Sequence, residues 1–251
     1  MTRTRWPAAV LTMLVATGCH SGDSPSAAPQ TTPNAPGLAF CRQLGGTWNT
    51  PARSCTLTGR NEHTHIKVSY PVGLLEDPAA GPALKDYVES YVHRRSDEAD
   101  DRESNTTLTH TLFHHGDDVT SVLFHGEYYT QGTPHPTDEY ATFTFDTAEH
   151  RRLQLADLFC PGVDPLQAIP SLIRSSIEDQ LGDTPLNVED FEPGRTRLDY
   201  SDGYRAWLLD DDDLVFYLPA ERTGPVAAGM VTPRLALSDP DAPLRQNGCP
   251  T

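Results

Sequence analysis

The chain has 251 residues, 37% of them hydrophobic, and carries 35 acidic against 19 basic side chains, a formal charge of −16. That balance excludes a nucleic-acid-binding role, because a polyanion would be repelled rather than neutralised. It suits a basic protein partner, or plain solubility outside the cell, and the apolar content is enough for a folded core.

Residues 1–19 read MTRTRWPAAVLTMLVATGC. Arg3 and Arg5 make a basic start, and 8–16 is an uncharged, mostly apolar stretch too short to cross a bilayer. Ala16, Thr17 and Gly18 then lead into Cys19, a pattern that resembles the lipobox of bacterial lipoproteins. It departs from that pattern at Ala16, where leucine is usual. The resemblance implies a signal peptide over 1–18 and a mature N-terminus at Cys19 carrying palmitate-type acyl chains. An ordinary secretory signal is the alternative. The mature chain is then expected on the outer face of the cell membrane, held there only by lipid. Residues 19–37 are rich in Ser, Thr, Pro, Ala and Gly and read as a disordered tether.

Four further cysteines, Cys41, Cys55, Cys160 and Cys249, allow three pairings in an exported chain. Cys41–Cys55 and Cys160–Cys249 is the pairing chosen, since the first closes a short loop around Gly45, Gly46 and Trp48. No cysteines stand at zinc-site spacing, so no metal and no other cofactor is expected. Residues 38–58 are thus a stapled N-terminal extension, with Trp48 packed on the body or, alternatively, serving a small carbohydrate-binding or inhibitor-like module.

Residues 59–251 carry the main domain. His65 to Tyr70 alternates and reads as a strand ending at Pro71. Leu84, Tyr87, Val88, Tyr91 and Val92 predict a helix over 82–94, followed by a charged loop over 94–105. Residues 107–113 and 119–129 form a hairpin around 114–118, and 139–146 is a further strand. Leu166, Ile169, Ile173, Ile177 and Leu181 share a helical face. Pro170 places the regular start of that helix at itself rather than at Asp164, and Gly182 caps the end. Residues 204–209 and 214–218 are strands around Asp210 to Asp213. The predicted class is α+β, with a curved antiparallel sheet and two or more helices packed on it.

Several features then line up. Tyr70-Pro71 is followed by a helix, and Tyr128-Tyr129 by Gly132-Thr133-Pro134-His135-Pro136. Phe143-x-Phe145-Asp146, Leu153-x-Leu155-x-Asp157-Leu158-Phe159 and Gly224-Pro225-x-Ala227-Ala228-Gly229 come later. In this order they resemble the extracytoplasmic domain of the anti-sigma factor RsiV and the related secreted immunogenic antigens of mycobacteria, over roughly residues 60–245. The resemblance implies a curved antiparallel α+β fold and a binding role, lysozyme being the ligand of RsiV itself. The membrane helix and sigma-binding segment of RsiV have no counterpart in the sequence, so its signalling role is not implied. Some of the secreted antigens have been considered esterases.

His135 sits between two prolines that stiffen its connection. As a general base it would need a nucleophile and an orienting group, and no Gly-x-Ser-x-Gly elbow exists in the chain. A turn-building or ligand-contacting His135 is the reading adopted, with a His135-based esterase as the alternative. Tyr128, Tyr129 and Tyr140 flank the turn and complete a candidate aromatic patch. His110, His114, His115, His125 and His135 invite a metal, and Asp210 to Asp213 calcium, but neither has its motif. The expectation is a monomeric envelope binding protein for a basic lysozyme-like protein or cell-wall glycan. A hydrolase, or a structural lipoprotein without a small ligand, stands as the alternative.

Overall fold

Alternating side chains set the central strands. The computed structural model describes residues 36–59, 63–97, 102–186 and 204–249; the expected signal peptide, Cys19 and the expected tether up to residue 35 lie outside them, and Pro36 and Gly37, read as the end of that tether, begin a helix instead. Strands β1 (Thr47–Asn49), β2 (Ser54–Thr58), β3 (Thr64–Ser69), β4 (Ser104–His115), β5 (Val119–Thr130), β6 (Thr137–Asp146) and β7 (Arg151–Arg152) form one sheet in chain order. Strands β8 (Trp207–Asp210), β9 (Asp213–Phe216) and β10 (Arg234–Ala236) form a second, in the order β10-β9-β8. The longer helices are α1 (Pro36–Gln43), α2 (Ala80–Asp97) and α3 (Pro165–Leu181), and a single helical turn follows at Ala220–Thr223.

The fold is α+β as expected, with one departure. β3 and β4 run parallel, Ile66 opposite Thr106, while every other pairing is antiparallel. A parallel pair needs a long crossover, and α2 is that crossover. Period-2 patterning reveals a strand but not its direction. α2 also runs through Asp97 into the span read as a charged loop, its last turn carrying Arg94 and Arg95 near the carbonyl end.

The two faces of β4–β6 differ. Val122, Phe124 and Gly126 of β5, with Phe143 and Phe145 of β6, turn toward Leu84, Val88 and Tyr91 of α2. Gly126 is required there, because a Cβ would lie 2.6 Å from the Tyr91 hydroxyl. Ser121, Thr142 and Thr144 on the opposite face are also buried. The Trp207 N–H of β8 donates to Thr142 Oγ1 at 2.8 Å, and the Leu209 N–H to Ser121 Oγ at 3.1 Å. Ser121 in turn bonds Thr144 across the strands at 3.0 Å. β8 is an edge strand of the small sheet, so its outward N–H groups would otherwise be buried without acceptors. Hydroxyls on the face of the large sheet satisfy them.

α3 buries Ile169, Ile173, Ile177 and Leu181 in the core of the small sheet, beside Leu214, Phe216 and Leu235. Its start corrects the expectation drawn from Pro170. The Asp164 side chain accepts the Leu166 N–H at 3.0 Å, Pro165 occupies the first turn, and the helix runs through Pro170. Pro170 forfeits one backbone hydrogen bond, but burial of this apolar face offsets a loss of about 3 kcal/mol. Gly182 closes the helix as expected, at φ 56°.

Both disulfides pair as chosen, Cys41–Cys55 and Cys160–Cys249. The first clips α1 to β2, and β2 pairs with β3, so residues 38–58 are built into the large sheet. Trp48 packs 6.1 Å from the Tyr70 ring, as a flap on the body would. The second disulfide ties the C-terminal segment back to the start of the α3 region.

Candidate functional site

The turn that carries His135 is shaped by Gly132, at φ 94°, and by Thr133, whose N–H and hydroxyl both donate to the Thr130 carbonyl. His135 is exposed, and its Nδ1–H donates to the Pro136 carbonyl at 2.9 Å. No hydroxyl is among its hydrogen-bond partners within the described residues, and it lines neither of the two recesses described below. The arrangement a general base requires is therefore not assembled around this ring.

The three tyrosines divide between faces, because Tyr128 and Tyr129 are consecutive on a strand. Tyr128 lies on the α2 side under the Arg95 guanidinium, 4.7 Å from ring centroid to carbon, and its oxygen accepts the Thr130 hydroxyl at 2.7 Å. Tyr129 and Tyr140 share the opposite face, Tyr140 pairing across from His125. Four residues separate Tyr129 from His125, about 13 Å along the strand.

Around Tyr140 the structure builds what the sequence reading did not assemble. The His125 ring stacks on Tyr140 at 4.6 Å with planes 1° apart, and Tyr217 stacks beyond it at 5.7 Å and 21°. His125 Nε2 meets Asp138 Oδ1 at 2.6 Å. Glu127, Asp138, Thr109 and Thr111 are exposed on the same side of the sheet, beyond the stretch that β8 covers. Burial, then the carboxylate of Asp138, pushes the Tyr140 hydroxyl above its ordinary pKa. The available signal was the register, since the residue opposite Tyr140 is His125. Tyr217 comes from the far sheet and had no local signal.

The other histidines disperse. His110 meets Ser69 Oγ at 3.0 Å, and its burial lowers its pKa. His114 meets Thr120, and His115 meets the Asp211 carbonyl. Among the described residues no three His, Cys, Asp or Glu side chains converge on a metal position. In the aspartate tetrad, Arg234 bridges Asp210 at 2.7 Å and Asp213 at 3.0 Å, so the carboxylates face a guanidinium.

Described residues line recesses of the surface, two of which lie beside the strands of the large sheet. One, of about 200 Å³, lies between Val119, Leu209 and Leu244, with Arg151 and Arg245 at its rim. The other, of about 250 Å³, lies beside β6, between Thr142, Arg152 and Trp207.

These features describe a two-sheet α+β domain with an exposed aromatic and acidic sheet face. Residues 156–238, which hold α3 and the small sheet, match a family described as "Protein of unknown function (DUF3298)". No curated protein matches the chain. Among solved structures, a DUF3298 family member from Bacteroides fragilis is 16% identical, with 72% of this chain and 85% of that one covered and a TM-score of 0.46. A DUF3298 family protein from Pseudomonas aeruginosa is 12% identical, with 80% and 98% covered and a TM-score of 0.48.

Proposed function

We propose that this chain is a lipid-anchored protein of the bacterial cell envelope whose body binds a basic extracellular protein, a lysozyme-type muramidase being the sharpest candidate. The observation that carries the reading is the open half of the large sheet, where His125, Tyr140 and Tyr217 stack beside Asp138 and Glu127. Aromatic rings flanked by carboxylates suit arginine and lysine side chains, which pair with the acids and lie over the rings. The chain's formal charge of −16 would speed the approach of a basic partner. The resemblance to RsiV supports the same ligand class. Two disulfides favour an oxidising compartment, in keeping with export and with anchoring through Cys19.

The test is binding of residues 20–251 to lysozyme across a salt series, beside an equally basic unrelated protein. Salt-resistant binding confined to lysozyme, weakened about tenfold or more in Tyr140→Ala, is expected of a recognition surface. Loss of both proteins together as salt rises would reduce the interaction to charge attraction and overturn the reading. Retention on wall fragments without lysozyme binding would reassign the face to glycan. Anchoring has its own test: Cys19→Ser should move the protein from the membrane fraction to the soluble one.

A further inference from the structure

β7 is short, and its shortness leaves an opening. Arg151 and Arg152 pair with Asp146 and Phe145, and the Leu153 N–H donates to the Thr144 carbonyl at 2.8 Å. The chain then leaves at Gln154 for the 3-10 turn Leu155–Leu158. From Thr142 back to Thr137, β6 has no strand partner on this side among the described residues. Backbone groups alternate sides along a strand. Since the Thr144 carbonyl faces β7, the N–H and C=O of Thr142 and Tyr140 face the same open edge. No backbone partner for these groups occurs among the described residues.

The recess of about 250 Å³ lies at this edge, and Arg152 lines it. Its guanidinium rests 4.4 Å from the Phe143 ring centroid. No carboxylate among the described residues pairs with it, whereas Arg151 next door pairs with Asp146 and Asp157. Arg152 is exposed as a residue, but where its guanidinium lies over Phe143 partial desolvation lowers its pKa below the ordinary arginine value. An unpaired guanidinium fork beside free strand-edge donors and acceptors matches one ligand chemistry, an amide backbone that ends in a carboxylate.

We propose that the open edge of β6 takes the C-terminal end of an extended peptide as an added strand, with the terminal carboxylate held by Arg152. Because Arg152 stands opposite Phe145, the peptide runs parallel to β6, its carboxylate at the Thr142 end. A cavity of about 150 Å³ admits benzene, so one of about 250 Å³ takes the terminal residue. Inorganic phosphate would satisfy the guanidinium but leave the Thr142 and Tyr140 edge unpaired. This site lies on the strand edge rather than on the aromatic face, and Arg152→Gln leaves that face intact. Its failure and that of the lysozyme reading are therefore separable.

The experiment is a titration of isotope-labelled residues 20–251 with N-acetyl-alanyl-alanine, its C-terminal amide and inorganic phosphate, followed by backbone amide resonances. The free acid should shift the Thr142 and Tyr140 amides and saturate in the millimolar range. The amide should bind at least about tenfold more weakly, the scale of a lost charged hydrogen-bond pair. Arg152→Gln should lose the same factor with its remaining spectrum unchanged, and Arg152→Lys should recover part of it. Equal binding of acid and amide, an equal response to phosphate, or full affinity in Arg152→Gln would each overturn the proposal. So would a dimer in sedimentation that fills the edge with a second copy.

Discussion

The two faces of β4–β6 solve the same burial problem in opposite ways. Toward α2 the strands present Leu108, Val122, Phe124, Phe143 and Phe145, sealed by a helix whose Tyr91 lies over Gly126. Toward the small sheet they present Ser121, Thr142 and Thr144, which hold β8 by hydrogen bonds and then leave the rest of the face open. An apolar face closes against whatever shape fits it, whereas a hydroxyl face accepts only a partner whose donors fall at the right spacing. The covered half of that face is thus specific in register, and the uncovered half remains available to a ligand. The matched family segment, 156–238, supplies the partner of the hydroxyl face rather than of the apolar one.

That contrast breaks most visibly at Phe124. Its side chain is wholly buried between α2 and the sheet, so Phe124→Ala should destabilise the body by about 3–5 kcal/mol. A denaturant midpoint within experimental error of the parent would show that the α2 face is not a packed core.

On the other face, Thr142→Val keeps the shape but strands the Trp207 N–H. A cost of about 1–3 kcal/mol is expected, against less than about 0.5 kcal/mol for Thr109→Val on the exposed stretch. Equal costs for the two threonines, measured by chemical unfolding, would remove the distinction between the covered and open halves.

The smallest effect concerns the entry to α2. Asp77 Oδ1 accepts the Ala79 and Ala80 N–H groups at 2.8 Å, and Oδ2 meets His150 at 2.9 Å. Burial pushes this carboxyl up, but the Ala80 N–H, His150 and the Ala79 N–H together hold its pKa below the ordinary value. The folded pKa being depressed, the stability it contributes is present above the unfolded value of about 3.9 and is lost as pH falls through the folded one. Asp77→Ala should cost about 1 kcal/mol near neutrality. The gap to the parent should close in acid, and a gap that stays constant with pH would deny the charge any part in it.

Local signals carried far in this chain. Apolar periodicity marked α2, α3 and the hairpin of β4 and β5, because a half-buried element must repeat its apolar residues at its own geometric period. The Cys41–Cys55 pairing was legible from the shortness of its loop. The candidate site was legible only in part: Tyr129 and Tyr140 lie on the aromatic face, while Tyr128 turned to the α2 side and His135 to solvent. His125 was seen among the histidines, but not as the ring that stacks on Tyr140.

By itself the sequence determined the acidic charge, the cysteine set and the positions of most strands and helices, all of which depend on residues near one another in the chain. Only the tertiary structure decided that Thr142 and Thr144, polar by pattern, lie buried under β8. It also decided that β3 and β4 run parallel and that Tyr217 crosses from the small sheet to complete the stack on Tyr140. Alternation states that two faces differ, but which of them is covered depends on what a distant segment brings to it.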